Sequence, residues 1–197
     1  MKKNLMTLAA VLCCVLINPL FTSCTKAGGD DNNTPGTVEI KGIGARYLVG
    51  VTEQMAQLCD YTITYYGING QLTTEQATWT VKDGTAKWTK DVSNTRFPGI
   101  FGLKVSVRVK EGAQLEGVKI DNIYPVSSLL YVQGITTDAQ MAWEKTVSLT
   151  GGASTHASTS GEKLAAYTEA WERHGGVLNM TYTFDKDGSQ ISTGSIE

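Results

Sequence analysis

Two histidines are the only residues of that type in the sequence, and a serine nucleophile would need one of them as its base. His156 lies among small hydroxyl residues, with Ser154, Thr155 and Ser158 beside it, and could act as a base in that loop. His174 ends a helical segment, where an imidazolium would bind the terminal carbonyl groups in a structural role. Histidines and cysteines are too few for a zinc site, so no metal is predicted.

Acidic residues are dense enough in two places to be considered as a glycosidase pair. Asp185 and Asp187 stand in a run that ends in Gly188-Ser189. The run resembles the start of a calcium loop, but no bidentate glutamate follows at the required spacing, and a turn between strands explains every residue. The second group lies on one predicted helix and consists of Glu162, Glu169 and Glu172. Because these glutamates are typical of a solvated face and no nucleotide or nucleophile motif occurs, neither catalysis nor a cofactor is predicted.

Aromatic residues offer another chemistry, because sugar rings pack against exposed amphipathic rings. A two-residue Asp83-Gly84 turn sets Trp79 opposite Trp88 on the only apolar face of their hairpin, so both indoles are predicted to lie in the core. Trp143 and Trp171 are less constrained. They are therefore the candidate ligand-binding residues.

The N-terminal residues indicate covalent attachment of lipid. Lys2 and Lys3 precede an apolar run, Leu5 to Leu20, which has the length of a secretory signal rather than of a membrane span. The next residues, Phe21-Thr22-Ser23-Cys24, resemble the lipobox of bacterial lipoproteins, with the phenylalanine variant familiar from the Bacteroidetes type. The resemblance implies that residues 1–23 are removed, that the Cys24 thiol receives diacylglycerol and that its amino group is acylated. An ordinary cleaved signal peptide is the alternative.

Residues 24–37 are rich in Gly, Asp, Asn and Pro, which bury too little surface to offset ordering entropy, so a flexible tether is predicted. In Bacteroidetes-type lipoproteins, acidic residues soon after the cysteine resemble a signal for export to the cell surface. Asp30 and Asp31 therefore favour the cell surface over the periplasmic face of the outer membrane. The predicted acyl chains make the membrane the first partner.

Charge and cysteine content exclude two further possibilities. The chain has 17 Lys and Arg against 19 Asp and Glu, whereas a protein that neutralises nucleic-acid phosphates needs an excess of positive charge. No nucleic-acid partner is therefore predicted. After cleavage, Cys59 is the one remaining thiol besides Cys24, so no intramolecular disulfide is expected and Cys59 is predicted to be a small buried apolar residue.

From residue 38 onward the residues alternate with the period of β-strands. Leu103 to Val109 alternates Leu and Val with Lys, Ser and Arg, and Leu178 to Phe184 follows the same rule. Further strands are predicted at Arg46–Val51, Tyr61–Tyr66, Thr73–Val81, Thr85–Val92, Val118–Ile123, Leu129–Gln133 and Trp143–Leu149. Many short strands at hairpin spacing predict one mainly β domain over residues 38–197, an antiparallel β-sandwich.

The register of the hairpin around Asn69-Gly70 requires a loop with an odd number of residues. A two-residue turn would put Tyr61, Ile63 and Tyr65 on the polar side of the next strand. The three-residue loop Ile68-Asn69-Gly70, with Gly70 in the left-handed conformation, restores the match and is predicted.

One segment, Thr159 to Gly175, has helical spacing instead. Leu164, Tyr167 and Trp171 form its predicted buried face, each contributing about 2 kcal/mol by area. Thr159 and Glu162 fit a capping box. The prediction is one amphipathic helix near residues 160–174, inserted before the last hairpin and covering one open end or edge of the sandwich.

Parts of this pattern resemble small lipoproteins of the Bacteroidetes type. The residues that carry the resemblance are Asp60 to Gly70, Trp88-Thr89-Lys90 and Phe97-Pro98, within residues 24–112. The resemblance implies one immunoglobulin- or transthyretin-like sandwich behind the lipidated cysteine, and it implies nothing about a ligand.

These features predict a non-catalytic, lipid-anchored binding or structural module with a glycan or protein partner. A carbohydrate-binding module, the first alternative, requires at least two exposed, coplanar aromatic side chains on one surface. A small adhesion or pilus-type subunit, the second, requires an incomplete sheet edge or a removable terminal strand such as Thr37 to Lys41. An enzyme would need a pocket that holds His156 with a carboxylate.

Overall fold

A computed structural model describes residues 39–150 and 156–197 of the chain. The predicted signal peptide, Cys24 and the predicted tether lie outside these residues, as do residues 151–155. The described residues all belong to one compact unit.

The described residues form twelve β-strands and two α-helices. In chain order these are β1 (Ile40–Thr52), α1 (Glu53–Leu58), β2 (Cys59–Tyr66), β3 (Leu72–Gln76), β4 (Thr80–Lys82), β5 (Thr85–Asn94), β6 (Gly99–Val109), β7 (Lys119–Ile120), β8 (Ser127–Thr136), β9 (Met141–Ser148), β10 (Thr159–Ser160), α2 (Gly161–Arg173), β11 (Leu178–Phe184) and β12 (Gln190–Gly194). A single 3₁₀ turn, Ile68–Gly70, joins β2 to β3.

Ten of the strands form two antiparallel sheets. Sheet A has the order β4-β5-β1-β8-β9, and sheet B has the order β12-β11-β6-β2-β3. The remaining strands, β7 and β10, pair with each other. Because apolar residues of both sheets belong to one buried cluster, the predicted antiparallel β-sandwich is confirmed.

Strand alternation determines which side chains enter the core. In β1, Ile43, Tyr47 and Val49 are fully buried, whereas Arg46 and Leu48 between them are half-buried on the opposite face. Tyr47 links the sheets through the core, because its hydroxyl donates to the carbonyl of Tyr66 (2.8 Å) and accepts from the N–H of Gly102 (3.0 Å). The buried hydroxyl therefore satisfies backbone groups of two strands in sheet B.

Both predicted hairpin registers are present. Asp83 and Gly84 have φ of 50° and 73° and join Lys82 to Thr85 in a two-residue turn. Tyr66 pairs with Leu72, and the N–H of Gly67 donates to the carbonyl of Gln71 (2.7 Å). This closes the predicted three-residue loop, with Asn69 and Gly70 both at positive φ.

The predicted strand Thr73–Val81 is wrong as one element. The structure divides it into β3, at the edge of sheet B, and β4, at the edge of sheet A. The chain crosses between the sheets at Ala77–Trp79, where Trp79 packs edge-on against Tyr61 with ring centroids 5.1 Å apart. Because the alternation of residues continues through the crossing, periodicity alone did not show it. Val81, which alternation places on the same face as Trp79, is 50% exposed at this edge.

The predicted strand Val118–Ile123 is also shorter than expected, since only Lys119–Ile120 pairs, with β10. Asn122 ends it by accepting the N–H groups of Tyr124 and Ala157, both at 3.2 Å. This turn chemistry outweighs the apolar alternation.

The inserted helix α2 is confirmed, with two corrections. Leu164 and Trp171 are buried as predicted, but Tyr167 is 37% exposed. Ser160, not Thr159, is the N-cap residue, since both residues pair in β10 and the helix begins at Gly161. The structure also has a second, unpredicted helix, α1, whose N-cap Thr52 accepts the N–H of Met55 (3.2 Å).

Candidate functional site

The two histidines lie on either side of α2. His156 is exposed in the chain segment before β10. His174 is the C-cap residue of α2, and its backbone N–H donates to the carbonyl of Trp171 (3.0 Å). Within residues 39–150 and 156–197, no group of three or more His, Cys, Asp and Glu side chains could hold a metal ion.

Asp185 and Asp187 form the turn between β11 and β12. The Asp187 carboxylate accepts the N–H of Ser189 (2.8 Å), and the Asp185 carboxylate accepts that of Lys186 (2.8 Å). Hydrogen bonds from Ser189 hold the pKa of Asp187 below its ordinary value. Both carboxylates therefore serve the turn.

Trp143 and Trp171 do not share a surface. The Trp143 indole donates to the carbonyl of Lys186 (2.8 Å), and a Cβ at Gly188 would lie 2.8 Å from its ring. It thus ties the edge strand β9 of sheet A to the β11–β12 turn of sheet B. Trp171 is 9% exposed and packs against Tyr124, with centroids 5.5 Å apart. Neither indole offers the open flat face that stacking on a sugar requires.

The two tryptophans that were predicted to lie in the core, Trp79 and Trp88, both pack in it or against it. Trp88 is 3% exposed, and Trp79 is half-buried against Tyr61.

Cys59 is buried at the start of β2, and burial raises the pKa of its thiol to about 12. We predict that iodoacetamide at pH 8 labels Cys59 of the folded full chain at least about a hundredfold more slowly than in guanidinium, because the thiolate is scarce and covered. Peptide mass spectrometry, which separates Cys59 from the other cysteines, measures the two rates. Equal rates would show that the thiol is accessible.

The candidate binding site is a cavity of about 320 Å³ at the N-terminal end of α2. It is lined by Gly117, Val118, Lys119, Ser158, Thr159, Ser160 and Glu162. The lining residues include three with hydroxyl side chains, Glu162, and Lys119, whose ammonium lies 3.2 Å from the Asp121 carboxylate. Donors and acceptors are therefore both present, and the volume is near the lower limit for small-molecule sites.

Backbone pairing holds the two walls of this cavity together. Lys119 pairs with Ser160 across β7 and β10, and the N–H of Gly161 donates to the carbonyl of Val118 (2.8 Å). The Glu162 carboxylate accepts the N–H of Gly117 (2.9 Å). This hydrogen bond is the main reason that the pKa of Glu162 lies below its ordinary value. Glu162 therefore holds the 117 loop instead of completing the predicted capping box with Thr159.

A second polar group, which we call the Glu75 cluster, consists of Tyr65, Glu75, Trp88 and Lys90. The Glu75 carboxylate on β3 accepts from the Tyr65 hydroxyl (3.0 Å), the Trp88 indole (3.0 Å) and the Lys90 ammonium (2.8 Å). Burial pushes the pKa of Glu75 up, but the hydrogen bonds from Lys90, Trp88 and Tyr65 together hold it below its ordinary value. Since Trp88 and Lys90 belong to β5, the cluster joins sheet B to sheet A.

Sequence reasoning missed both the cavity and the Glu75 cluster. Lys119 and Ser158 are far apart in sequence, and nothing in their neighbourhoods indicates the β7–β10 pairing. For Glu75 a signal existed: the odd loop at Ile68–Gly70 places this charged residue opposite buried Ile63, on the inner face.

No protein-family model, curated protein or solved structure matches this chain. Its resemblance to Bacteroidetes-type lipoproteins therefore stays a prediction. The helices of the described residues are too short or too polar to cross a membrane.

Proposed function

We propose that the protein is a non-catalytic binding module, anchored by lipid at Cys24 to the outer membrane and displayed on the cell surface. The observation that carries the binding role is the cavity beside α2, whose lining combines three hydroxyl side chains with Lys119 and Glu162. These groups suit recognition of a polar ligand.

The cavity lies near one end of the first strand. The described chain enters β1 at Ile40, which pairs with Thr136, and leaves it at Thr52, beside α1. From α1, the Gln54 amide donates to the carbonyl of Lys119 (2.8 Å), so the cavity lies near the far end of β1. Thirteen strand residues span about 43 Å. The cavity thus lies at the end of β1 opposite to Ile40.

The ligand class that best fits the lining is a polyhydroxylated molecule. The carbohydrate-binding alternative therefore remains, but hydrogen bonds in the cavity would recognise the sugar, and Trp143 and Trp171 would not. The pilus-type alternative stays open, because the first residues of β1, Ile40 to Gly42, pair with β8 on one side and β5 joins β1 only from Ile43 onward.

Glycan-array binding of the full chain tests the cavity. We expect Ser158→Ala and Lys119→Ala each to weaken binding of the strongest glycan at least about tenfold, because each removes a hydrogen-bonding group from the lining. The matched controls are Ser106→Ala and Lys104→Ala, which lie on the outer face of sheet B and should leave binding unchanged. Absence of binding across the array, or equal losses in controls and cavity variants, would overturn this assignment.

A further inference from the structure

One flank of the sandwich, between β3 of sheet B and β5 of sheet A, is incompletely covered. Val81 on β4 pairs with buried Ala86, so its side chain lies on the inner face, but it is 50% exposed. Thr73 on β3 and Lys90 on β5 each pair with a buried tyrosine of the neighbouring strand. Thr73 is nevertheless exposed, as is 38% of the Lys90 side chain. Inward-facing residues of three strands therefore meet solvent on this flank.

The opposite flank, between β9 and the strands β11 and β12, is closed by side chains that cross from sheet to sheet. The Trp143 indole donates to the carbonyl of Lys186 (2.8 Å), and the Tyr182 hydroxyl donates to the carbonyl of Ser148 (2.9 Å). The exposure of inner residues is thus specific to the flank between β3 and β5.

The backbone of β5 has unused hydrogen-bonding groups on this flank. The N–H of Glu53 donates to the carbonyl of Gly84 (2.9 Å), and in an antiparallel ladder the residues that bond one neighbouring strand alternate with those that face the other side. Counting from Gly84, the even-numbered residues of β5 bond β1, and the odd-numbered ones direct their N–H and C=O groups away from it. Within the described residues, β4 pairs only with Thr85–Lys87. The odd-numbered residues beyond it, which we call the uncovered edge, are all exposed: Thr89, Asp91 and Ser93.

The uncovered edge has an end on each side. At one end, Thr80 of β4 pairs with Lys87. At the other end, the Asn69 side chain of the 3₁₀ turn accepts the N–H of Thr95 (2.9 Å). The interval between them, Trp88 to Asn94, spans about 23 Å, which accommodates a short extended segment.

The chemistry of the edge determines its occupant. A row of free N–H and C=O groups pairs with another extended polypeptide. A second copy of the same edge fits poorly, because a two-fold pairing about its centre would place Asp91 opposite Asp91. On the inner side, an added strand would meet the Lys90 ammonium, which donates to Glu75 (2.8 Å) and has further N–H donors. A carboxylate there would be repelled by Glu75 and an ammonium by Lys90, so hydroxyl or amide side chains fit best.

We propose that the uncovered edge of β5 binds an extended segment of a partner protein as an added strand. The segment carries Ser, Thr, Asn or Gln at the alternate positions that face Lys90. This inference concerns a surface separate from the cavity and does not depend on the proposed glycan binding.

Selection from a phage-displayed library of random peptides against the full chain tests the proposal. We expect the enriched peptides to carry hydroxyl or amide side chains at every second position. N-methylation of the strongest peptide then tests strand addition, because only every second N–H of an added strand bonds the protein. Methylating one alternate set of residues should weaken binding at least about tenfold, and methylating the other set should change it less than about twofold.

Thr89→Pro removes an N–H from the uncovered edge and should weaken binding of the same peptide at least about tenfold. Thr146→Pro is the matched control: Thr146 is exposed on β9, at the other edge of sheet A, and its N–H points away from β8, counted from the bond between Leu149 and Ser128. This control should bind the peptide normally. Guanidinium unfolding of both variants shows whether each is folded, and the N-methylation result stands without either of them.

The proposal is overturned by a library that yields no binder, by enriched peptides without alternate hydroxyl or amide residues, or by N-methylation effects that do not alternate. Equal binding to Thr89→Pro and Thr146→Pro would overturn it as well, and self-association that Thr89→Pro abolishes would assign the edge to a second copy. Glycan binding separates this proposal from the proposed function. Thr89→Pro should lose the peptide and keep the glycan, whereas Lys119→Ala should do the reverse.

Discussion

The replacement Cys24→Ser is expected to abolish incorporation of fatty acid into the protein, because it replaces the thiol to which diacylglycerol would be joined by a hydroxyl. Each buried methylene of an acyl chain contributes about 0.8 kcal/mol to membrane attachment, and several chains are needed for lasting anchorage. No other substitution in this chain should have so complete an effect. Metabolic labelling with an alkyne fatty acid, in a bacterium that processes lipoproteins, provides the measurement.

Cys14→Ser is the matched control, since Cys14 lies within the predicted signal peptide and its loss should leave the label unchanged. Cys59→Ser is a second control, because this buried thiol should not be acylated. Retention of label in Cys24→Ser, or its absence from the unaltered chain, would contradict the lipoprotein assignment and favour an ordinary cleaved signal.

How far the sequence predicts this fold depends on the range of the interaction involved. Alternation and turn chemistry are local, and they predicted β6, β11 and the odd loop at Ile68–Gly70 correctly. The crossing at Ala77–Trp79 depends on contacts with Tyr61 that no local pattern encodes. Sheet exchange occurs there without a Gly or Pro to mark it.

The candidate site depends on still longer-range pairing. Thr159 and Glu162 have the spacing of a capping box, but Thr159 pairs with Ile120 and Glu162 binds the N–H of Gly117. Thr159 thus pairs across to β7, and Glu162 bonds both the distant Gly117 and the N-cap residue Ser160. The pairing of Thr159 and the bond to Gly117 hold the chain at residues 117–120, part of which lines the cavity. Local helix-capping rules do not indicate these contacts, so they could not predict the cavity.

Removing the carboxylate of the Glu75 cluster is expected to destabilise the fold more than removing an exposed ion pair of sheet A. We expect Glu75→Ala to lower the free energy of unfolding by about 2–3 kcal/mol, because it leaves the Trp88 indole N–H and the Tyr65 hydroxyl without their acceptor. Both side chains are only 3% exposed, so water cannot readily replace the carboxylate. Guanidinium unfolding of the full chain, followed by tryptophan fluorescence, measures the change.

Asp91→Ala is the matched control, because it removes an ion pair of similar length from the solvent-facing side of sheet A. The Asp91 side chain is 57% exposed, against 32% for Glu75, and pairs of this exposed kind contribute about 0–1 kcal/mol. A loss in Asp91→Ala as large as in Glu75→Ala would show that ion pairing itself, and not the orphaned buried donors, determines the effect.

Acid provides an independent test of the same carboxylate. The pKa of Glu75 is lower in the folded chain than its ordinary value of 4.5. Its contribution to stability is therefore complete above that value and is lost as the pH falls through the folded pKa. The stability difference between the unaltered chain and Glu75→Gln, which cannot ionise, should be constant near pH 7 and shrink below about pH 4. A difference that stays constant down to pH 2 would mean that the charge of Glu75 does not connect the two sheets.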